Sequence, residues 1–444
     1  MNILLIAIDT LRADRLSCYG YQKETTPNLD RFAEEGIKFT NFFSQNSFTQ
    51  PAFTTIYSGK YPITHNIVAQ DGDVALDDNT PLLPEILQDN GYKTAAIDNL
   101  EFMKDWFTRG YDYYINPSKI ENINPYVGIK AEVLSDYAIE WLDDNYQEDF
   151  FLFLHYWDPH MPYLPPVKQG KKFRSESVND GRTLKDVMRE PVYSFVAQFY
   201  DEGVNITEIK DRYDAEVNYV DQQIDRVIQF LIDQQILDDT LVIFTADHGE
   251  SLGEHGIYFD HTGLYDQSIH IPLIIRYPKL GVGKEIDNLT QQVDLTPTIL
   301  DIVDIKDNDI IEDMDGRSLL SLIKGEQNET IDYIYANESS WQCKRAIRSN
   351  KWKFIKAIEP DVFGNPMKEL YDLEEDPLEN NNLANERKDI ADKLGRQLQS
   401  WVTTKLQSVD HGDPLKEQGC SKRLHPNTKA EEEKIKKRLE EFGY

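Results

Sequence analysis

The 444-residue chain carries 78 acidic residues against 47 basic ones, a formal net charge of −31. That field repels nucleic acid and anionic membrane surfaces, and no apolar run reaches the roughly 18 residues of a spanning helix. Neither a nucleic-acid partner nor a membrane span is therefore expected. The three cysteines, Cys18, Cys343 and Cys420, lie far apart with no metal-knuckle spacing. Together with a first strand that begins at residue 2 where a signal peptide would stand, they lead us to expect a cytoplasmic protein. The length suits one large domain and a smaller one; a homo-oligomer is left open.

In chain order, residues 3 to 8 form an apolar run typical of a parallel strand, ending at Asp9. TTPNLDRFAEEG predicts a helix with Thr26 as cap, Pro27 in the first turn and Gly36 as stop. A short strand, Ile37 to Phe43, leads into SFTQPAFTTIYSGKYPITHN, where a helix beginning near Thr49 would aim free backbone N–H groups at an anion. A helix over Leu82 to Asp89 and a strand over Lys93 to Ile97 repeat the rhythm and end at Asp98-Asn99. The helix Ala131 to Asn145, the strand Phe150 to Tyr156 and the Pro-rich loop Trp157 to Tyr163 repeat it again. Residues 166 to 210 read as an insertion facing substrate, and Tyr213 to Ile232 as a long amphipathic helix.

The strand Leu241 to Phe244 then breaks into Asp247-His248-Gly249-Glu250. A Pro-bounded strand, Ile271 to Ile275, and the helix VDLTPTILDIV close a first domain, residues 1 to 335. Short strands and one helix, Arg387 to Leu406, make residues 336 to 444 a small α+β unit. It ends in a charged helix, AEEEKIKKRLEEFGY, with Ile435, Leu439 and Phe442 on a docking face.

Chemistry gathers where strands end, because crossover loops there open a crevice. Asp9 and Asp247 share that placement. His248, His255 and His261 fall within one short stretch, interleaved with Glu250, Glu254 and Asp260, a donor set for a divalent cation. So acidic a chain needs a local cation to hold an anionic ester, and a metal supplies one. Glu250 and His255 read as structural or orienting groups, Asp214 as a surface or capping group, and His155 as a core histidine in an apolar strand. Thr49 reads equally as an N-cap.

On NILLIAIDTLRAD, SGKYPITHN, WDPHMPY, YDAEVNYVD, TADHGESLGEHG and ELYDLEEDPLENNNLA, in that order, the chain resembles the sulfatase branch of the alkaline phosphatase superfamily. The resemblance implies an α/β fold, a mostly parallel sheet sandwiched by helices with a smaller C-terminal α+β subdomain. It places a metal among Asp9, Thr49, Asp247 and His248, with Thr49 as nucleophile; Ser47 competes but misses the family spacing. It makes His160 the histidine that contacts the transferring group or protonates the leaving oxygen. His261 stands in the place of a family lysine, either holding an anionic oxygen or ligating a second metal.

The departures from the family pattern are chemical. Threonine cannot yield the formylglycine of sulfatases proper, so none is expected. Phe53 replaces an arginine, Asp98-Asn99-Leu100-Glu101 replaces a Gly-Lys-x-His cation set, and Thr10 replaces a second aspartate. Fewer oxygens and one nitrogen favour Mn2+ or Zn2+, with iron also suited, over Ca2+. The expected activity is metal-dependent hydrolysis of a phosphate or sulfate ester, phosphate favoured, on a small-molecule or glycan substrate. The alternatives are a phosphotransferase moving a phospho-alcohol group onto a glycan, and an inactive binding module.

Overall fold

Every residue of Asn2–Ile8 (β1) is buried, as a strand apolar on both faces requires. The computed structural model describes residues 1–122, 129–175, 181–188, 192–201, 203–326, 331–360 and 363–420. The charged helix expected over 430–444 lies outside the described residues, as does part of the 166–210 stretch. Seven further strands join β1: β2 (Ile37–Phe39), β3 (Lys93–Ile97), β4 (Tyr113–Ile115), β5 (Phe150–Tyr156), β6 (Thr240–Thr245), β7 (Leu273–Arg276) and β8 (Lys284–Ile286). Their order is β8-β2-β7-β6-β1-β5-β3-β4, parallel except for β7, which runs against both β6 and β2. This is the expected mostly parallel α/β sheet.

Two expectations about its elements need correcting. The run Ile37 to Phe43 is not one strand: Thr40 and Asn41 separate β2 from a two-residue strand, Phe42–Phe43, that pairs outside the main sheet. The Pro-bounded strand begins after Pro272 rather than at Ile271, since proline cannot donate to a ladder.

The helices that matter to the site are α1 (Pro27–Glu35), α2 (Thr49–Ser58), α3 (Ala131–Asn145), α4 (Val167–Phe173), α5 (Ile206–Asp233), α6 (Leu295–Ile302) and α7 (Lys388–Leu406). Strand alternation distributes them over both faces of the sheet. On one face Phe53 of α2 meets Phe153 edge-on at 5.7 Å. On the other, the Tyr156 hydroxyl bonds Ser135 of α3 at 2.8 Å. The amphipathic helix α5 starts at Ile206, not Tyr213, capped by the Asn205 side chain on the Thr207 N–H. A second sheet, antiparallel β9 (Ile334–Ser339), β10 (Cys343–Arg348), β11 (Trp352–Ala357) and β12 (Lys368–Asp372), carries α7. It docks through buried ions, including Lys353 between Asp266 at 2.6 Å and Glu379 at 2.7 Å.

Candidate metal centre and active site

Parallel register sets the site. Ala7 of β1 lies level with His155 of β5 and with Thr245 of β6, so Asp9 and Asp247, each two residues further on, project from the same face past the strand ends. With His248 they form a cluster whose donor atoms lie within 4.8 Å of one another, all buried. His248 Nδ1 donates to the Gly249 carbonyl at 2.9 Å. In the neutral imidazole this leaves the Nε2 lone pair facing inward. Nε2 lies 3.2 Å from Asp247 Oδ2 and 3.9 Å from Asp9 Oδ1, and at 3.2 Å it accepts from the Thr49 hydroxyl.

Asp9 Oδ1 and Asp247 Oδ2 are buried acceptors with no hydrogen-bond partner. Orphaned carboxylate oxygens in an apolar interior are costly unless a cation satisfies them. Two carboxylates, an imidazole and a hydroxyl fit a divalent first-row ion, so the residues present suit the implied metal.

Electrostatics carry the same signature. Burial, then the charge of Asp9, pushes the Asp247 carboxyl up to about 6. Burial also opposes ionisation of Asp9, but the imidazoles of His160, His155 and His248 outweigh it and hold that carboxyl below its ordinary value. Backbone strain accompanies the charge. Thr10 sits at φ 54°, a left-handed conformation that a β-branched residue adopts at a cost of about 1–3 kcal/mol. Its N–H donates to Asp247 Oδ1 at 3.3 Å, and its carbonyl accepts from the Tyr213 hydroxyl at 2.8 Å.

The expected catalytic residues converge on this cluster. The His261 ring lies 4.4 Å from that of His248, 4.5 Å from Phe48 and 5.6 Å from His160. His160 Nδ1 donates to the Met161 carbonyl at 2.7 Å, and burial holds its pKa below the ordinary value against the pull of Asp9. Thr49 makes no capping bond; Phe48 is the N-cap of α2. The Ser47 hydroxyl is buried without a hydrogen bond, whereas the Thr49 hydroxyl bonds His248 of the cluster. One expected anion donor is already engaged, because the Gln50 N–H bonds the Gln70 side chain at 3.0 Å.

The sulfatase family model matches residues 1–305. The chain belongs to the sulfatase family. As a member it is an ester hydrolase of the sulfatase type, and a second family model, for the C-terminal part of N-sulphoglucosamine sulphohydrolase, matches residues 253–405. An N-acetylglucosamine-6-O-sulfatase of Bacteroides thetaiotaomicron is 25% identical over 506 aligned residues, 94% of this chain and 88% of the relative. Two solved structures share the fold. One, in complex with its substrate D-glucosamine-2-N,6-O-disulfate, has TM-score 0.76 at 23% identity, covering 92% of this chain and 98% of the other. The second is a phosphonate monoester hydrolase of Agrobacterium radiobacter, with TM-score 0.72 at 22% identity, covering 92% and 96%. Sulfatases generally use a divalent metal, in keeping with the Asp9–Asp247–His248 cluster.

Other residues of this sulfatase-family chain fall elsewhere. His255 leaves the cluster and stacks on Tyr265, ring centroids 3.6 Å apart. Glu250 accepts from the Tyr163 hydroxyl at 3.0 Å. The Asp98-to-Glu101 segment turns inward: Asp98 accepts from the Tyr114 hydroxyl, Asn99 from the Trp157 indole, and Glu101 pairs with Lys119 at 2.7 Å. Asp214 is not the surface or capping group expected. It is buried among Arg15 at 3.2 Å, Lys23 at 2.7 Å and the Tyr21 hydroxyl at 2.7 Å, because Arg15 and Lys23 precede α1 in a loop that folds over α5. His155 is core, as expected, yet more than core: its Nε2 donates to Asp9 Oδ2 at 3.2 Å. The signal in the sequence was a polar residue next to last in an otherwise apolar strand.

Proposed function

We propose that this chain hydrolyses a phosphate ester through Thr49 as nucleophile, in a site that takes Mn2+ or Zn2+ on Asp9, Asp247, His248 and Thr49. The observation that carries the reading is the Thr49 hydroxyl 3.2 Å from the inward lone pair of His248, beside two orphaned carboxylate oxygens. When bound, the cation lowers the hydroxyl pKa and offsets charge on a nonbridging oxygen. The Thr49 hydroxyl gives up its proton to solvent and Oγ1 attacks phosphorus; the new O–P bond forms as the bond to the leaving oxygen breaks. His160, its Nδ1–H held by the Met161 carbonyl, first takes up a proton from solvent at Nε2 to become the imidazolium. As the acid it protonates the leaving oxygen, and as the resulting base it activates the water that clears phosphothreonine. His261 lies where it can face an anionic oxygen of the ester.

Site chemistry rather than fold favours phosphorus, since a sulfated-glucosamine complex and a phosphonate monoester hydrolase share this architecture. A sulfothreonine would have to be cleared by S–O cleavage, whereas a phosphothreonine stays open to water at phosphorus. The sulfate-holding cations of the family pattern are absent as well: Phe53 packs on His155 at 4.7 Å in the arginine position. Thr49→Ala should lose several orders of magnitude in turnover while folding normally, since the Thr49 hydroxyl makes no capping bond, and Thr49→Ser should keep part of the activity. Acid quench of a slow aryl phosphate should leave a phosphate mass on the Thr49 peptide. Aryl sulfates turned over as fast as matched phosphates, with no adduct, would overturn both nucleophile and substrate.

A further inference from the structure

The two aspartates of the cluster are each denied one oxygen, by different means. Asp247 Oδ1 is taken by backbone, the N–H groups of Thr10 at 3.3 Å and His248 at 2.8 Å. Asp9 Oδ2 is taken by one side chain, His155, at 3.2 Å. What remains toward the centre is one oxygen from each, Asp9 Oδ1 and Asp247 Oδ2. His155 lies among rings: Phe53 at 4.7 Å, Trp157 at 5.5 Å and Phe153 at 6.3 Å. Among the described residues no other side chain donates to Asp9 Oδ2, so without the imidazole that oxygen is free to turn inward.

We propose that His155 is a positioning residue that restricts Asp9 to one-oxygen ligation and thereby biases the site toward Mn2+ and Zn2+ over Ca2+. The proposal rests on the metal reading above. Ca2+ takes six to eight oxygens and uses bidentate carboxylates, so a second oxygen from Asp9 helps it most. Zn2+ and Mn2+ depend more on a few well-aimed donors, whose orienting hydrogen bonds typically account for 10- to 100-fold in affinity.

The test is calorimetric titration of chelator-treated full-length protein with Mn2+, Zn2+ and Ca2+ in turn. His155→Phe fills the aromatic surroundings but removes the donor; His155→Gln keeps an N–H of similar reach. In His155→Phe, Mn2+ and Zn2+ affinity should fall at least about tenfold while Ca2+ affinity holds or rises. His155→Gln should restore the wild-type order of metals. Unchanged Mn2+ affinity in His155→Phe overturns the proposal, and so does an equal loss for all three ions, which marks a merely structural residue. Wild-type protein that binds none of the ions, indistinguishable from Asp247→Ala, overturns instead the metal reading beneath it.

Discussion

Asp247→Asn should make the metal-free protein more stable while abolishing its response to metal. Asp247 is completely buried, and burial together with Asp9 raises its carboxyl from 3.8 to about 6. A raised folded-state pKa means the carboxyl costs nothing below about pH 3.8, and the cost grows to its full size as pH rises through about 6. Two pH units at 1.36 kcal/mol each give a penalty on the order of 3 kcal/mol at pH 8. Asparagine carries no charge and can still accept from the N–H groups of Thr10 and His248.

Urea unfolding in chelator at pH 8 should therefore favour Asp247→Asn by about 1–3 kcal/mol, and the gap should close as pH falls toward 4. Saturating Mn2+ should reverse the order: a hundredfold excess over Kd adds about 2.7 kcal/mol to the wild type alone. If the variant is no more stable in chelator at pH 8, or gains from Mn2+ as much as the wild type, the electrostatic account of this cluster is wrong.

Two packing predictions use the same loop and its support. A Cβ at Gly249 would stand 2.1 Å from the Gln267 carbonyl oxygen, so Gly249→Ala should push apart the loops joined by the Gly249-to-Ser268 and Glu250-to-Gln267 hydrogen bonds. We expect a cost of about 3 kcal/mol in urea unfolding, and lost turnover as His248 moves. Asp214→Ala leaves Arg15 and Lys23 without their shared carboxylate. Breaking a buried pair costs about 3–5 kcal/mol, and with Lys23 37% exposed the expected loss is about 2–3 kcal/mol, read by the same measurement.

How far the sequence could be read depended on the range of the forces involved. Strand ends were legible because β1, β5 and β6 are built around apolar runs, and such runs must be buried on both faces. From there Asp9, Asp247 and His248 follow, since polar residues directly after buried parallel strands have little room to lie elsewhere. Asp214 and His155 were read less well for one shared reason: each is defined by a partner far away in sequence.

Nothing local to YDAEVNYVD tells that Arg15 and Lys23 will fold across it. Nothing local to FFLFLHYWD tells that β1 lies beside it with Asp9 just past its end. Periodicity reports which face is apolar, whereas charge partners are set by sheet order, and β8-β2-β7-β6-β1-β5-β3-β4 is not chain order. The loop histidines divide the same way. His248 and His261 come together over the centre, while His255, between them in sequence, is turned out at φ 54° onto Tyr265. A dense cluster of ligand-type residues in sequence therefore marks the loop that holds a site, and the backbone path of that loop decides which of them enter it.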